Sequence, residues 1–520
     1  MTSKAPIHPE TRELDVVILG AGFGGLCMAI KLREAGNDDF VILEKGGDVG
    51  GTWYFNSYPG AACDVQSHMY SFSFAPKSDW SKRYAPQPEI HQYILDTTEK
   101  FGIRPFVRFH QVVNGARYDQ ATARWHVTTQ SGDTYICRHF VMATGPLHVP
   151  SIPKIPGLDN FKGKVFHSAQ WDHDYDLRGK NVVSIGTGGS AIQYVPEIAP
   201  EVKQLYVFQR TPAWVIPRDE RSYLGIEKKL FAMFPALRSL HRARLYWSNE
   251  SRLLPILNAG VAKQLQRLAK LFIRYQVKDK AVAEKLTPDY TIGCKRILIS
   301  NKYYPTFNRD NVELVTEGIQ EVREHSIVTR DGVERPADCI ILGTGFVVDP
   351  RVYLRGFPMT GRDGHELLED WKEIAQGYYG TQVAGYPNFF QLVGPNTGLG
   401  HNSIIFMIEA QVHYIIECMK LMKEKAADSI EVKQEVQDAF NARIQKGFRD
   451  TVWTSGCTSW YQSAEGGNFA LWPHSTWKFW LETRAVNGAN YVFGRAEAPA
   501  RADAPALKAV KGSKKQKATA

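Results

Sequence analysis

The sequence predicts an α/β protein with two Rossmann-like dinucleotide-binding domains and an inserted helical subdomain. Two observations predict the paired domains: a glycine-rich turn follows a short apolar strand at residues 15–25 and again at 181–191, as in Rossmann phosphate-binding turns. A third observation is the segment 221–290, which is rich in leucine, arginine and lysine and has apolar residues at helical spacing. The chain of 520 residues is long enough for two or three cores.

The first unit reads as strand, glycine turn, helix and strand. Residues 15–19 are apolar and β-branched, which is typical of a buried parallel strand. Gly20, Gly22 and Gly25 then form G-x-G-x-x-G, which permits a tight turn, close approach of a pyrophosphate, and close packing of helix on strand. The next strand ends at Glu44, whose carboxylate can accept hydrogen bonds from ribose hydroxyls.

The second unit repeats this pattern with one change of charge. Gly186 lies 24 residues before Arg210, and Gly20 lies 24 residues before Glu44. Because arginine at this place suits a 2′-phosphate, the second site is expected to bind NADPH. The alternative is a surface arginine and NADH as the cofactor. The other residues expected to contact NADPH are Thr187, Gly188, Gly189, Ser190, Gln193 and Thr211.

Two further strands end in threonine–glycine turns, at 137–145 and 338–346, and each is expected to close one domain and cross to the other. The expected division is a FAD-binding domain whose first part is 1–147, an NADPH-binding domain at 148–346 with a helical insertion at about 221–290, and a FAD-binding return with a C-terminal loop at 347–495. Two dinucleotide sites together indicate an enzyme that transfers hydride from NADPH to FAD.

Composition and charge limit the class of protein this chain can belong to and the partners it is expected to bind. The net charge of +9 comes from residues 221–286, with fourteen Lys/Arg against four Asp/Glu, and from residues 501–520, with six against one. No nucleic-acid motif accompanies this charge, and 496–520 is expected to be a basic disordered tail. The seven cysteines contain no C-x-x-C pair, so reduced thiols and no metal site are expected. A start without an apolar run and the lack of any ~18-residue apolar stretch predict a cytoplasmic protein.

The segment before the second glycine turn, FKGKVFHSAQWD, carries a family pattern. Phe161, Gly163, His167, Trp171 and Asp172 match F-x-G-x-x-x-H-x-x-x-W-[PD] at every position. The chain therefore resembles the Baeyer–Villiger monooxygenases, which are class B flavoprotein monooxygenases. Related N- and S-oxidising flavin monooxygenases usually end this pattern in Phe or Tyr, so its ending here favours the Baeyer–Villiger branch.

Two more matches support the resemblance, which covers roughly residues 12–425. Residues 50–64, GGTWYFNSYPGAACD, fit a second family pattern, and Lys295–Arg296 is the third match. Trp53 is expected near the flavin and nicotinamide, with a plain core tryptophan as the alternative. The resemblance and the first glycine turn together imply further FAD contacts at Phe23, Gly51, Thr52, Trp53, Asp64 and Tyr70.

The resemblance implies a reaction in which NADPH reduces FAD and the reduced flavin captures O2 as a C4a-peroxide. This peroxide attacks a ketone carbonyl, and rearrangement gives an ester or lactone. Arg296 is expected to stabilise the anions, because its guanidinium cannot itself protonate the peroxide. Asp64 is expected to orient Arg296, and Lys295 to reach the cofactor phosphate beside Arg210.

The sequence leaves the roles of several segments open. The family pattern at residues 161–172, called the fingerprint from here on, is expected to link the two domains, with Gly163 in a turn and His167 in a moving joint. The alternative is that His167 is a purely structural histidine. The helical insertion is expected to roof the active site, with membrane-surface contact as the less favoured alternative. The loop 456–473 either closes over nicotinamide or substrate, or is a surface loop held by its own aromatics. Residues 396–415 are expected to form a turn and a helix beside FAD.

Competing functions are an S- or N-oxygenase of soft heteroatoms, a reductase of the two-dinucleotide class, and a non-catalytic sensor. Sulfoxidation uses a protonated hydroperoxide and has no need of an anion-stabilising arginine, so Arg296 favours the ketone reaction. The absence of C-x-x-C counts against the reductase. The expected partners are a small ketone and O2, with no nucleic acid, in a monomer or dimer. The sequence does not indicate which ketone is used.

Overall fold

The computed structural model describes residues 9–457, 459–463 and 466–496. The basic tail expected from residue 496 therefore lies outside the described residues from 497 onward. In chain order the strands are β1 (Thr11–Leu19), β2 (Phe40–Leu43), β3 (Val107–Arg108), β4 (Val113–Asp119), β5 (Arg124–Thr129), β6 (Thr134–Met142), β7 (Lys164–His167), β8 (Asn181–Ile185), β9 (Gln204–Phe208), β10 (Val215–Ile216), β11 (Leu298–Ile299), β12 (Val312–Val315), β13 (Ile319–Arg323), β14 (Ser326–Thr329), β15 (Glu334–Pro336), β16 (Cys339–Leu342), β17 (Met359–Thr360), β18 (Phe389–Gln391), β19 (Ser429–Val432) and β20 (Tyr491–Gly494). The α-helices are α1 (Phe23–Glu34), α2 (Thr52–Phe55), α3 (Gln87–Lys100), α4 (Ala191–Ile198), α5 (Gly225–Met233), α6 (Pro235–Glu250), α7 (Leu254–Leu257), α8 (Ala259–Gln276), α9 (Lys280–Lys285), α10 (Tyr303–Thr306), α11 (Pro350–Tyr353), α12 (Leu367–Asp370), α13 (Ile404–Glu424), α14 (Gln434–Lys446) and α15 (Thr476–Glu482).

The first large sheet has the strand order β17-β4-β5-β6-β1-β2-β3, with β18 also paired to β6. Strand β1 lies parallel to both β2 and β6, while β4, β5 and β6 run as an antiparallel meander. The run Val16 to Ile18 is fully buried, as expected for a parallel strand covered on both faces. The chain leaves this sheet after β6 and returns to it with β17 and β18, so its carboxyl edge is built from distant segments.

The second large sheet is entirely parallel, in the order β12-β9-β8-β16-β7. Its central strand β8 leads through the second glycine turn into α4, as the sequence predicts. Strand β7 lies at one edge and ends at His167. In both sheets the glycine turn therefore follows an inner parallel strand, which is the place where α/β folds bind nucleotides.

The inserted segment is helical, as predicted, and α5 to α9 connect β10 to β11, which pair with each other in parallel. The apolar residues at helical spacing in this segment include Leu265, Leu268, Phe272 and Tyr275 of α8. Only Leu265 and Phe272 pack against the core, while Leu268 and Tyr275 are 64% and 85% exposed. The reason is that the inward face of α8 is centred on Ala262, Ala269 and Ile273, so Leu265 and Phe272 lie on its flank and the other two side chains lie outside.

The cysteines depart from the expectation of reduced thiols. Cys294 and Cys457 form a disulfide with a Cα–Cα distance of 6.3 Å, although 163 residues separate them. The other five cysteines are free and buried. Spacing in the sequence carries no information about such a distant pair, because only the fold brings the two segments together.

Among the described residues, no helix is long and apolar enough to cross a membrane.

Candidate active site

The first glycine turn is shaped by close backbone contacts. Gly20 has φ +104°, and a Cβ there would lie 2.7 Å from the carbonyl oxygen of Ala143. A Cβ on Gly25 would lie 1.9 Å from the carbonyl oxygen of Gly20. Glu44 is buried and accepts hydrogen bonds from two backbone amides, one of them from Ala21 at 2.7 Å. A carboxylate has about four acceptor sites, so Glu44 is fixed in place and retains capacity for ribose hydroxyls.

The second glycine turn repeats these constraints and leaves room for a ligand. Gly186 has φ +110°, and a Cβ there would lie 2.3 Å from the carbonyl oxygen of Gly343. At Gly188, by contrast, a Cβ would meet no atom within 4 Å. Arg210 follows β9 and is exposed, and no carboxylate among the described residues pairs with it. Its guanidinium is therefore available to an anionic group of a bound ligand.

Both turns face a single cavity of about 1540 Å³, which exceeds the roughly 300–1000 Å³ of pockets for drug-sized ligands. The predicted residues that line it are Gly20, Gly22, Phe23, Glu44, Gly51, Thr52, Trp53, Asp64 and Tyr70 from the first site, Gly186, Thr187, Gly188, Gly189, Ser190, Gln193, Arg210, Thr211 and Lys295 from the second, and Arg296. Gly25 and the five fingerprint residues do not line it. Among the described residues, none in the segment 221–290 lines it either, so the expected roof over the site is wrong for this structure.

Arg296 and Asp64 meet on the wall of this cavity. The Arg296 Nη2 donates a hydrogen bond to Asp64 Oδ2, and the side chains are 44% and 30% exposed. The negative charge of Asp64 raises the pKa of Arg296. Burial pushes the pKa of Asp64 upward, but the charge and hydrogen bond of Arg296 hold it below its usual value. The pair is thus ionised at neutral pH, and beside it the Lys295 Nζ lies 4.8 Å from the Tyr290 ring centroid.

Two residues near this pair went unnoticed in the sequence. The Tyr58 hydroxyl donates to Gln193 Oε1 at 2.9 Å, and Gln193 Nε2 donates to the Ala62 carbonyl at 3.0 Å. Burial raises the pKa of Tyr58 to about 12. Arg218 donates to the Cys63 carbonyl at 3.3 Å. Tyr58 lies inside the motif 50–64 and could have been found there, whereas Arg218 belongs to no recognisable pattern.

An aromatic cluster lies beside the first turn. The Trp53 Nε1 donates to the Tyr70 hydroxyl at 3.1 Å, and the rings of Phe23 and Tyr70 meet edge to face with centroids 5.3 Å apart. Trp53 is only 8% exposed and faces the cavity with the part that remains open. Burial raises the pKa of the Tyr70 hydroxyl. This cluster gives one end of the cavity a rigid apolar wall with few polar atoms.

The start of the fingerprint is a packing feature. Gly163 lies at a bend in the chain, as expected, but its φ is outside the left-handed region that favours glycine. A Cβ on Gly163 would instead lie 2.4 Å from the Asp338 carbonyl oxygen and 2.6 Å from the Phe161 ring. Glycine is required because the chain passes close to its neighbours. Asp172 pairs with Lys164 at 2.5 Å on the surface, away from the cavity.

His167 occupies the end of β7 beside the crossing at Phe346. It is 2% exposed, its Nδ1 accepts from the Ala169 amide at 3.1 Å, and its ring lies 5.8 Å from that of Phe346. Burial lowers its pKa. Trp171 packs against Tyr194 of α4 with centroids 5.4 Å apart. The fingerprint therefore lies behind the second glycine turn, next to a chain crossing, and has no direct contact with the cavity.

The loop 456–473 packs partly inside the protein, and residues 458, 464 and 465 lie outside the described residues. Tyr461, Asn468 and Trp472 are buried, at 2%, 4% and 0% exposure. Trp460 is 46% exposed and lines the cavity. The disulfide from Cys457 joins this loop to the segment that carries the catalytic candidates. Buried aromatics therefore anchor the loop, and its Trp460 side faces the cavity.

Comparison with known proteins shows which family this chain belongs to. Residues 13–353 match the model of the flavin-binding monooxygenase-like family. A Baeyer–Villiger monooxygenase from Pseudomonas aeruginosa is 46% identical over 492 residues, covering 94% of this chain and 93% of that protein. A Baeyer–Villiger monooxygenase from Streptomyces coelicolor is 44% identical over 517 residues, covering 99% and 98%.

Solved structures of monooxygenases have the same fold as this chain. A steroid monooxygenase bound to NADP superposes with a TM-score of 0.85 at 32% identity, covering 93% of this chain and all (100%) of that one. The structure of OTEMO in complex with FAD and NADP has a TM-score of 0.85 at 30% identity, with coverage of 94% and 100%. These similarities extend beyond the glycine turns to nearly the whole length of the chain.

Proposed function

Because this chain belongs to the flavin-binding monooxygenase-like family and to its Baeyer–Villiger members, we propose that Arg296 and Asp64 form the catalytic pair of its oxygenation reaction. The enzyme uses FAD, NADPH and O2 to insert one oxygen atom next to a ketone carbonyl. The observation that carries the proposal is that both glycine turns and this ion pair line one cavity.

The residues present fit the two dinucleotides. Left-handed glycines at Gly20 and Gly186 keep side chains away from both phosphate-binding turns. Glu44 suits a free ribose hydroxyl, and the unpaired Arg210 suits the 2′-phosphate of NADPH. Lys295, on the same wall, is proposed to add a second positive charge near that phosphate. Bound FAD would supply the hydride acceptance and O2 activation that no amino-acid side chain provides.

Arg296 is proposed to stabilise the negative charge that develops on oxygen during attack on the carbonyl. Its raised pKa keeps it charged, so it cannot quench an oxyanion by giving up a proton. Asp64 fixes the guanidinium through a charge-assisted hydrogen bond. The negative charge of the same carboxylate offsets the positive charge of the Arg296 guanidinium beside it.

We also propose that the chain divides at residues 147 and 346, with a FAD-binding part at 1–147 and 347–495 and an NADPH-binding part at 148–346. The two large sheets support this division, because β6 and β18 belong to one and β7 and β16 to the other. The Tyr58–Gln193 hydrogen bond is proposed to hold the parts together beside the cavity. The fingerprint residue His167 would then act on the position of the crossing segment and take no part in proton transfer.

Product analysis separates this reaction from oxidation of a soft heteroatom. The FAD-loaded enzyme is incubated with NADPH and either a cyclic ketone or an alkyl aryl sulfide, and products are quantified by gas chromatography. Lactone formation coupled to NADPH consumption supports the proposal. Sulfoxide formation with every ketone left unchanged would assign the chain to the heteroatom oxygenases instead.

A further inference from the structure

The outer face of α8 carries an apolar stripe that no other described part of the chain covers. Val261, Leu268, Leu271 and Tyr275 are spaced by seven, three and four residues and are 40%, 64%, 60% and 85% exposed. This spacing places them on one side of the helix. Another side of α8 packs on the protein through the buried Ala262, Ala269 and Ile273, with Leu265 and Phe272 beside them. The helix therefore has a buried apolar face and a separate exposed apolar stripe.

Positive charges form a band along one side of this stripe. Lys263, Arg267, Lys270 and Arg274 all belong to α8, and the helix contains no acidic residue. Within the described part of the chain, no carboxylate forms an ion pair with any of the four. An outward apolar stripe bordered by a band of unpaired cations is the pattern of helices that lie in a membrane interface.

The neighbouring helices extend this character. Leu254 and Leu257 of α7, which precedes α8 directly, are 61% and 45% exposed. In α6, Leu237, Leu240 and Trp247 share one face and are 40%, 68% and 60% exposed. Exposed apolar side chains concentrated in one segment mark an interaction surface. Because the segment 221–290 does not line the cavity, catalysis offers no explanation for them.

We propose that the outer face of α8 docks on an anionic lipid surface, with its apolar stripe among the acyl chains and its four cations among the headgroups. Charge decides between this occupant and a second copy of the chain. A twofold contact through α8 would bring four unpaired cations against four more, whereas anionic headgroups neutralise them. The proposal concerns attachment and is independent of the reaction in the cavity.

Vesicle co-sedimentation of the full-length, FAD-loaded enzyme tests this docking. The enzyme is mixed with vesicles of phosphatidylcholine alone or with about 30% phosphatidylglycerol, at low and high salt, and binding to the anionic vesicles alone is expected to fall as salt rises. The triple variant Lys263→Gln, Arg267→Gln, Arg274→Gln should bind about a hundredfold more weakly, at about fivefold per cation. The double variant Leu268→Ser, Leu271→Ser should also lose about a hundredfold, at about tenfold per leucine.

Matched controls use exposed residues elsewhere. Leu481→Ser and Val492→Ser, both at positions 53% exposed, should leave vesicle binding unchanged. All variants should keep their FAD content and their activity on a water-soluble ketone, which shows that they fold.

Three results would overturn the proposal. The first is equal binding to neutral and anionic vesicles, or none to either. The second is anionic binding that both α8 variants retain, which would locate it elsewhere, for instance in the basic residues 501–520. The third is a dimer in sedimentation velocity that Leu268→Ser with Leu271→Ser dissociates, which would identify a second copy as the occupant.

Discussion

Replacing Arg296 with alanine should nearly abolish ester formation while FAD binding and NADPH oxidation continue. A guanidinium about 4 Å from an oxyanion contributes about 4 kcal/mol at an effective dielectric constant of about 20, or about a thousandfold in rate. The Arg296 side chain is 44% exposed to the cavity, so water entering the variant's site recovers part of this. The expected loss in kcat for ester is therefore about 10² to 10³.

The assay measures NADPH consumption by absorbance and ester by gas chromatography in the same reaction. The ratio of ester to NADPH should collapse in Arg296→Ala, with the missing reducing equivalents recovered as hydrogen peroxide. Arg296→Lys keeps the charge but loses the planar fork, and should fall in between. Arg323→Ala removes a surface arginine that pairs with Glu321 and Glu334 away from the cavity, and should change nothing. Ester formation within about twofold of wild type in Arg296→Ala would refute the reasoning, since ~10²-fold is the smallest loss expected.

Three other changes have defined outcomes. Arg210→Ala should raise the KM for NADPH about tenfold or more, which corresponds to the lower end of the energy of a charge-assisted hydrogen bond at an exposed site, and should leave the KM for NADH nearly unchanged. Equal shifts of both KM values in initial-rate kinetics would contradict the 2′-phosphate assignment. Cys294→Ser with Cys457→Ser should lower the free energy of unfolding by about 2–4 kcal/mol in urea titration, and dithiothreitol should destabilise only the wild type. Glu250→Ala leaves the buried Thr476 hydroxyl and amide without their acceptor and should cost about 3 kcal/mol. Burial raises the pKa of Glu250, but hydrogen bonds from its neighbours hold it below its ordinary value of 4.5. The stability that the Glu250 carboxylate contributes is therefore present above that pH and is lost as the pH falls through the lowered pKa. A loss of stability in Glu250→Ala that stays the same at acidic pH would contradict this assignment.

The parts of the fold that sequence predicts are those with local causes. A buried apolar strand, a left-handed glycine such as Gly20, and a following helix are all specified within a few residues. The shared spacing to Glu44 and Arg210 places both at the ends of equivalent strands, and the structure brings both to the same cavity. Local pattern was sufficient for these features because each depends on short-range backbone geometry.

Other features depend on contacts between distant segments and were missed or misjudged. Gly163 is glycine because the Asp338 carbonyl passes beside it, a neighbour that sequence separation hides. The outward position of Leu268 follows from how α8 packs against the domain, since the helical period alone does not say which face is buried. The contact of Tyr58 with Gln193 joins segments 135 residues apart, and only the folded chain shows that these two residues meet.

Labelling with ¹⁸O2 tests the central claim most directly. The FAD-loaded enzyme is supplied with NADPH, a cyclic ketone and ¹⁸O2, and the lactone is examined by mass spectrometry. The account predicts incorporation of a single ¹⁸O atom, in the ring position between carbonyl and alkyl carbon, with one NADPH consumed for each lactone. Unlabelled product, or hydrogen peroxide with the ketone returned unchanged, would contradict it.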